Sequence, residues 1–338
     1  MSHVAVLGAG SWGSALAKVL AEKGDHVHLW ARRADLVDEI NTTRVNSKYL
    51  PGARFADTLR ATTDLGEAVG KAEMVVFVAP SHATREVARQ AAPLIPRHAM
   101  VVSATKGIEN ESLQFIDEVL ASELPGELHE RFAFLSGPSF AKELSLHLPT
   151  GVVIASKNAD VRDRVMRAFH TPYLRVYGSE DIVGVECGGA MKNVIAIAAG
   201  TIEGMGLGHN TRAILITRGL AEIARLAVAR GGNPLTLAGL SGMGDLVLTC
   251  TGELSRNRTV GVELGKGRRL GEILASLGHV AEGVKTTKSA YDLSRKLNVE
   301  MPITREVYTV LYEDKPVHEA AKTLMSRDLT PEFDFLNH

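Results

Sequence analysis

Between Val4 and Ala17 the chain reads VAVLGAGSWGSALA. A short apolar run breaks into glycines at Gly8, Gly10 and Gly13, then resumes with helical spacing. This is G-x-G-x-x-G set between a strand and a helix, and no other stretch constrains the fold as strongly. Gly8 permits the tight turn, Gly10 lets the main chain come close to a pyrophosphate, and Gly13 lets the helix pack closely on the strand. The helix N-terminus adds amide donors and the positive end of its dipole. Glycine is abundant here, at 32 of 338 residues, so the motif alone is a weak signal. A second apolar strand, His26–Trp30, follows Gly24 and supplies the strand–helix–strand context of a dinucleotide-binding unit.

Further apolar runs recur at Met74–Ala79, Met100–Ser103, Phe132–Leu135, Val152–Ala155 and Leu174–Tyr177. Helical patterns such as Ser11–Ala21 and Ala83–Leu94 separate several of them. Continuous apolar strands between helices predict a parallel sheet covered on both faces. Ligands of such sheets sit beyond the carboxyl ends of the strands. From about Asp181 the β-branched runs largely stop. Helical periodicity takes over at Val183–Ala199, Thr211–Ala229, Leu270–Leu277, Val284–Lys296 and Thr304–Glu313. The chain is therefore expected to form an α/β Rossmann-like dinucleotide-binding domain over 1–180 and a mostly α-helical domain over 181–338. Residues 332–338 are expected to fray.

Apolar content of 45% and charged content of 23% are those of a soluble globular protein. A net charge of −1 points to no nucleic acid and no anionic membrane surface, so any anion site is local. No uninterrupted apolar run approaches the ~18 residues of a membrane span. The first strand starts within a few residues of Met1, which leaves no room for a signal peptide. A cytoplasmic chain without stable membrane insertion is the expectation. Cys187 and Cys250 are far apart and outside metal-ligand spacing; they read as small buried thiols, and no metal is expected.

Several side chains suggest chemistry. After the second strand, where an acidic ribose ligand would suit NAD, the chain has Arg32 and Arg33. Two guanidiniums can meet a 2′-phosphate and stack on adenine, or form a solvated basic turn. Lys106 follows a strand and points to the crevice at the sheet edge, although a lone surface lysine is common. Ser136-Gly137-Pro138-Ser139-Phe140-Ala141 follows another strand, as a ligand-binding turn or an ordinary Gly-Pro turn. The most informative piece is Glu186–Ala196, ECGGAMKNVIA, which places Lys192 in an apolar helix. An unpaired buried ammonium is costly. Gly188, Gly189 and Ala196 share its face and clear it of bulk, leaving room for something to approach. Gly242-Met243-Gly244-Asp245 reads as a flexible loop ending in a carboxylate. Ser255 is placed to cap a helix beginning Arg256-Asn257-Arg258, an arrangement suited to a phosphate.

Together these motifs resemble the bacterial type of the NAD(P)-dependent glycerol-3-phosphate dehydrogenase family. The resemblance rests on GAGSWGSA (8–15), WARR (30–33), NSKYLPG (46–52), SATKGIE (103–109), SGPSFAKE (136–143), ECGGAMKNVIAIAAG (186–200), GLSGMGDLVLTCTG (239–252), SRNR (255–258) and VAEGVKT (280–286). It implies interconversion of sn-glycerol 3-phosphate and dihydroxyacetone phosphate with NADP(H) and/or NAD(H), generally feeding phospholipid synthesis in the cytoplasm, and a homodimer. By the same resemblance Ser11 and Trp12 contact the pyrophosphate region. Arg32, Arg33 and Tyr49 lie near the adenosine, and Lys106 touches both cofactor and substrate. Gly137 and Ser139 border the substrate and Ala141 the cofactor. Lys192 is the proton acceptor, and Asp245, Ser255, Arg256 and Asn257 line the substrate site. Arg256, Val280 and Glu282 reach the cofactor.

This chemistry moves a hydride and a proton and needs no metal. A lysine base near neutrality needs a pKa below its ordinary ~10.4, which burial or a second cation such as Lys106 provides. Asp245 opposes that shift but can aim the ammonium. Two other readings use part of the pattern. A related 2-hydroxyacid or phosphogluconate-type dehydrogenase shares the sheet and the helical domain. A non-catalytic nucleotide sensor keeps the glycine loop but has no need of Lys106, Lys192, Asp245 and Arg256 together.

Overall fold

The computed structural model describes residues 2–277, 281–329 and 331–332. They group into two compact units: residues 2–106 with 115–182, and residues 107–114 with the described residues from 183 onward. Residues 107–114 thus group with the helical unit although they fall within 1–180.

The first unit carries ten strands: β1 (His3–Leu7), β2 (His26–Trp30), β3 (Val45–Asn46), β4 (Leu50–Arg54), β5 (Leu59–Thr62), β6 (Met74–Phe77), β7 (Met100–Ser103), β8 (Phe132–Ser136), β9 (Thr150–Ala155) and β10 (Leu174–Ser179). Eight form one sheet in the order β10-β9-β8-β7-β6-β1-β2-β5, and β3 and β4 pair as a separate antiparallel ribbon. The helices of this unit are α1 (Ser11–Glu22), α2 (Ala34–Thr43), α3 (Leu65–Val69), α4 (Ser81–Ala91), α5 (Ile116–Glu123), α6 (Ala141–Ser145) and α7 (Ala159–Phe169). Val4, Val6, Val75, Val76, Val101 and Val102 are essentially inaccessible, as expected where helices cover both faces of a sheet.

The parallel sheet expected from the strand pattern has one antiparallel step. β8 runs against β9, with Phe134 opposite Ala155 and Leu135 opposite Ile154; the other adjacent pairs of the sheet are parallel. Their connection contains only the five-residue α6, which does not make the full crossover helix of a parallel pair. β5 and the β3–β4 ribbon are too short and too polar for their periodicity to mark them in the sequence.

The second unit is helical: α8 (Ile182–Gly204), α9 (Gly208–Ala229), α10 (Asp245–Thr251), α11 (Arg256–Gly265), α12 (Leu270–Leu277), α13 (Glu282–Lys296), α14 (Pro302–Tyr312) and α15 (Val317–Met325). Among the described helices α8 alone is long and apolar enough to cross a membrane by length and composition, and its apolar window is 72% buried inside the protein. That burial accounts for a helix that is hydrophobic on all sides. α8 and α11 meet main chain to main chain. A Cβ on Gly200 would stand 2.1 Å from the Arg258 carbonyl oxygen, and one on Gly261 2.0 Å from that of Ile197. Gly204 and Gly265 repeat the contact one turn further on.

Candidate active site

In the first unit the chemistry begins where β1 ends. Gly8 turns the chain with φ +130°, and a Cβ on Gly13 would lie 1.9 Å from the Gly8 carbonyl, so α1 rests directly on the loop. Gly10 differs: a Cβ there would meet no protein atom within 4 Å. Gly10 places no side-chain cap on α1, which leaves the leading amides at Ser11 and Trp12 to an anion. The buried indole Nε1 of Trp12 donates to no described protein group. An open glycine, uncapped amides and an orphaned donor are what a dinucleotide pyrophosphate requires, and the residues fit that group.

Asn46, which the sequence motifs did not single out, holds this loop. Its Nδ2 donates to the Ala9 carbonyl and to Ser14 Oγ, both at 2.9 Å, and its Oδ1 accepts from the Tyr49 amide at 3.1 Å. Its position at the head of the NSKYLPG segment was the available signal. Arg32 is exposed. Arg33 is exposed too but ion-paired with Asp35, its Nε donating at 2.9 Å. Asp35 is thus an acidic residue just past β2 that the reading of Arg32-Arg33 left out. Tyr49 is half-buried, with the Lys48 ammonium over its ring.

At the ends of β7 and β8 three candidates come together. Lys106 Nζ donates to the Gly137 carbonyl at 3.2 Å, and Ser139 Oγ donates to the same oxygen at 2.9 Å. Gly137 has φ +135°, and a Cβ there would come within 3.0 Å of Val152 Cα. Ala141 opens α6. The Ser136 hydroxyl is buried without a described partner.

In the second unit Lys192, with a side chain 12% exposed, makes an ion pair with Asp245, which is 1% exposed. The pairing answers the cost of burying the ammonium. The segment before Asp245 is not the flexible loop the sequence suggested. Leu240–Gly244 is wound as a π-helical turn that runs straight into α10, so Asp245 sits on regular backbone. The room at Gly188 is likewise taken by protein: a Cβ there would stand 2.2 Å from the Ser241 carbonyl. Gly188 admits the main chain that carries the partner of the lysine. Thr249 Oγ1 donates to the Asp245 carbonyl at 2.6 Å.

Beside this pair runs an amide chain. Asn257 Nδ2 donates to Asn193 Oδ1 at 2.9 Å, and Asn257 Oδ1 accepts from the Gly283 amide at 3.0 Å, tying α8, α11 and α13. Ser255 caps α11, accepting from the Arg258 amide at 3.3 Å. Arg256 is exposed at the head of that helix, and Glu282 opens α13. Val280 lies outside the described residues. Both cysteines are buried, and burial pushes the Cys250 thiol up to about 12.

The sheet, the glycine turn and the uncapped α1 define a Rossmann-type dinucleotide-binding protein, here with a helical unit built around a lysine–aspartate pair. Comparison with known proteins narrows the class. Residues 3–162 match the family described as NAD-dependent glycerol-3-phosphate dehydrogenase N-terminus, and residues 181–322 match its C-terminus. Glycerol-3-phosphate dehydrogenase [NAD(P)+] of Geobacter sulfurreducens is 55% identical over 330 residues, 98% of each chain. The protein of that name from Myxococcus xanthus is 55% identical over 95% of this chain and 96% of its own. The crystal structure of glycerol-3-phosphate dehydrogenase from Coxiella burnetii superposes with a TM-score of 0.92 at 42% identity, covering 96% of this chain and 99% of that one. The chain belongs to the NAD-dependent glycerol-3-phosphate dehydrogenase family.

Proposed function

We propose that the chain interconverts sn-glycerol 3-phosphate and dihydroxyacetone phosphate with NADP(H) or NAD(H). The buried Lys192–Asp245 pair, in a chain of this family, is the observation that carries the reading. NAD(P)(H), held by the glycine loop, would supply the hydride acceptor for oxidation of glycerol 3-phosphate at C2 and the hydride donor for reduction of dihydroxyacetone phosphate. As the neutral amine Lys192 takes the proton of the 2-hydroxyl as the hydride leaves, and as the ammonium it gives the proton back in reduction. Asp245 holds the ammonium in one orientation. Arg256 forks onto the substrate phosphate beside the leading amides of α11. Asn257 and Ser255 keep that helix start in place through the bonds described above. Lys106, Gly137 and Ser139 border the substrate, with Lys106 also meeting the cofactor. Gly8, Gly10, Ser11, Trp12 and Gly13 receive the pyrophosphate; Arg32, Arg33 and Tyr49 meet the adenosine; Ala141, Arg256, Val280 and Glu282 complete the cofactor contacts.

The test is loss of NADPH absorbance on adding dihydroxyacetone phosphate, repeated with Lys192→Met. That variant keeps the apolar stem and removes the proton carrier. It is expected to fold and bind NADPH while kcat falls by about 10²–10⁴-fold, the scale of general acid–base catalysis. A folded Lys192→Met enzyme with near-normal kcat would sink the assignment and make Lys106 the leading acid–base group. From the family resemblance we also infer a cytoplasmic homodimer that supplies glycerol 3-phosphate for phospholipid synthesis. The burial of α8 inside its unit supports a chain without membrane insertion. Sedimentation of the purified chain tests the dimer.

A further inference from the structure

The SRNR segment holds a residue that the proposed chemistry leaves unused. Arg258, in the first turn of α11, sends Nε (3.0 Å) and Nη2 (2.5 Å) to the two carboxylate oxygens of Glu203, near the end of α8. The Arg258 side chain is only 15% exposed. Arg212 Nη1 reaches the same carboxylate at 3.5 Å. A guanidinium fork on a carboxylate has a fixed plane and spacing, so it resists sliding as well as separation.

The helix pair it joins needs such resistance. Interlocking side-chain ridges ordinarily set the register of two packed helices. Here Gly200, Gly204, Gly261 and Gly265 bring main chain against main chain and leave few ridges to interlock. Asn257 bonded to Asn193 pins one point of the crossing, next to Lys192. That pin alone lets the first turn of α11 slide along α8. Glu203 stands about three turns further along α8, and Arg258 follows Asn257 directly, so the second tie braces the first turn of α11 from the other direction along α8.

We propose that the Arg258–Glu203 fork is the register lock of α8 against α11. Acting as a positioning pair, it sets the span between Lys192 on α8 and Arg256 on α11. That span is what a substrate must match between its 2-oxygen and its phosphate. The inference rests on the reading of Arg256 as the phosphate ligand.

The test compares Arg258→Met, Glu203→Gln, their double variant and Arg256→Met. Each is assayed with dihydroxyacetone phosphate and with dihydroxyacetone, which lacks the phosphate, alongside NADPH affinity and thermal unfolding. Both fork variants should lose ten- to hundredfold in kcat/KM for dihydroxyacetone phosphate, mostly through KM, the scale of a misplacement of about an ångström. Turnover of dihydroxyacetone should change less than about threefold and NADPH affinity should hold. The double variant should be no worse than the singles, because both remove one interaction. Equal losses on the two substrates would mean a merely structural role and would overturn the lock. So would unchanged discrimination in folded Glu203→Gln, a near-isosteric change that serves even where Arg258→Met fails to fold. Loss of discrimination in Arg256→Met alone refutes the lock and spares the phosphate reading; intact discrimination in Arg256→Met refutes that reading itself.

Discussion

Asn46 and Arg33 stand in the same nucleotide-binding unit and should respond differently to substitution. The Asn46 amide is wholly spent on the glycine loop and the Tyr49 turn. Asn46→Ala leaves buried partners unsatisfied, at roughly 1–3 kcal/mol. It is expected to weaken NADPH and NADH alike, because it loosens the loop under the pyrophosphate common to both. Replacing Arg32 and Arg33 by alanine should instead weaken NADPH much more than NADH, since only the former carries the 2′-phosphate. Titrating both cofactors against both variants checks the pair of outcomes. Equal losses in the arginine variant would remove the 2′-phosphate role. Arg33 already has an anionic partner in Asp35, so Arg32 is the freer of the two. The glycines were legible because each answers a local steric demand. Asn46 was not, because its partners at Ala9 and Ser14 lie more than thirty positions away in the chain.

Two helix contacts of the second unit yield predictions. At the α8–α11 crossing, Gly200→Ala puts a methyl group 2.1 Å from the Arg258 carbonyl, which main chain cannot yield without parting the helices. Alanine gains about 1 kcal/mol in helix propensity, but overpacking typically costs 1–3 kcal/mol and here strikes backbone. A net loss of up to about 2 kcal/mol in urea unfolding is expected, with a raised KM for dihydroxyacetone phosphate. At the α9–α14 contact, Glu222 is 1% exposed and caps α14. It accepts from the Ile303 amide and from the Thr304 amide and hydroxyl at 3.1 and 3.0 Å. Burial nevertheless pushes its carboxyl up from 4.5 to about 7. The folded state therefore binds this proton more tightly than the unfolded chain. Its stabilising effect is complete below about pH 4.5 and is lost as pH rises through 7, by about 3 kcal/mol in all. Glu222→Gln should remove that slope from urea midpoints measured across this range; an unchanged slope would assign it to other groups.

Across the whole molecule the candidate residues divide between the two units. The glycine loop, Arg32, Arg33, Lys106 and Ser139 belong to the sheet; Lys192, Asp245, Arg256 and Asn257 belong to the helices. If the first unit carries most of the dinucleotide binding, NADPH at a hundredfold excess over its Kd stabilises by about 2.7 kcal/mol. Lys192→Met should keep that stabilisation in unfolding measurements while losing turnover. A variant that loses both would show that the lysine supports cofactor binding as well as chemistry.

Local demands were readable from the chain itself. Gly8 and Gly13 announce a turn with no room for side chains, the valine runs announce a covered sheet, and Ser255 before Arg256 announces a helix start. Each depends on neighbours within a few residues. The tertiary structure decided what depends on distant ones. It reversed β9 against β8, and it wound Leu240–Gly244 into a helical turn against Gly188. It also joined Lys192 to Asp245 across fifty-three positions of chain. A lysine in an apolar helix says only that burial must be compensated. Which carboxylate compensates it is settled by packing, because the cost of an unpaired buried charge is met only when a partner arrives in space.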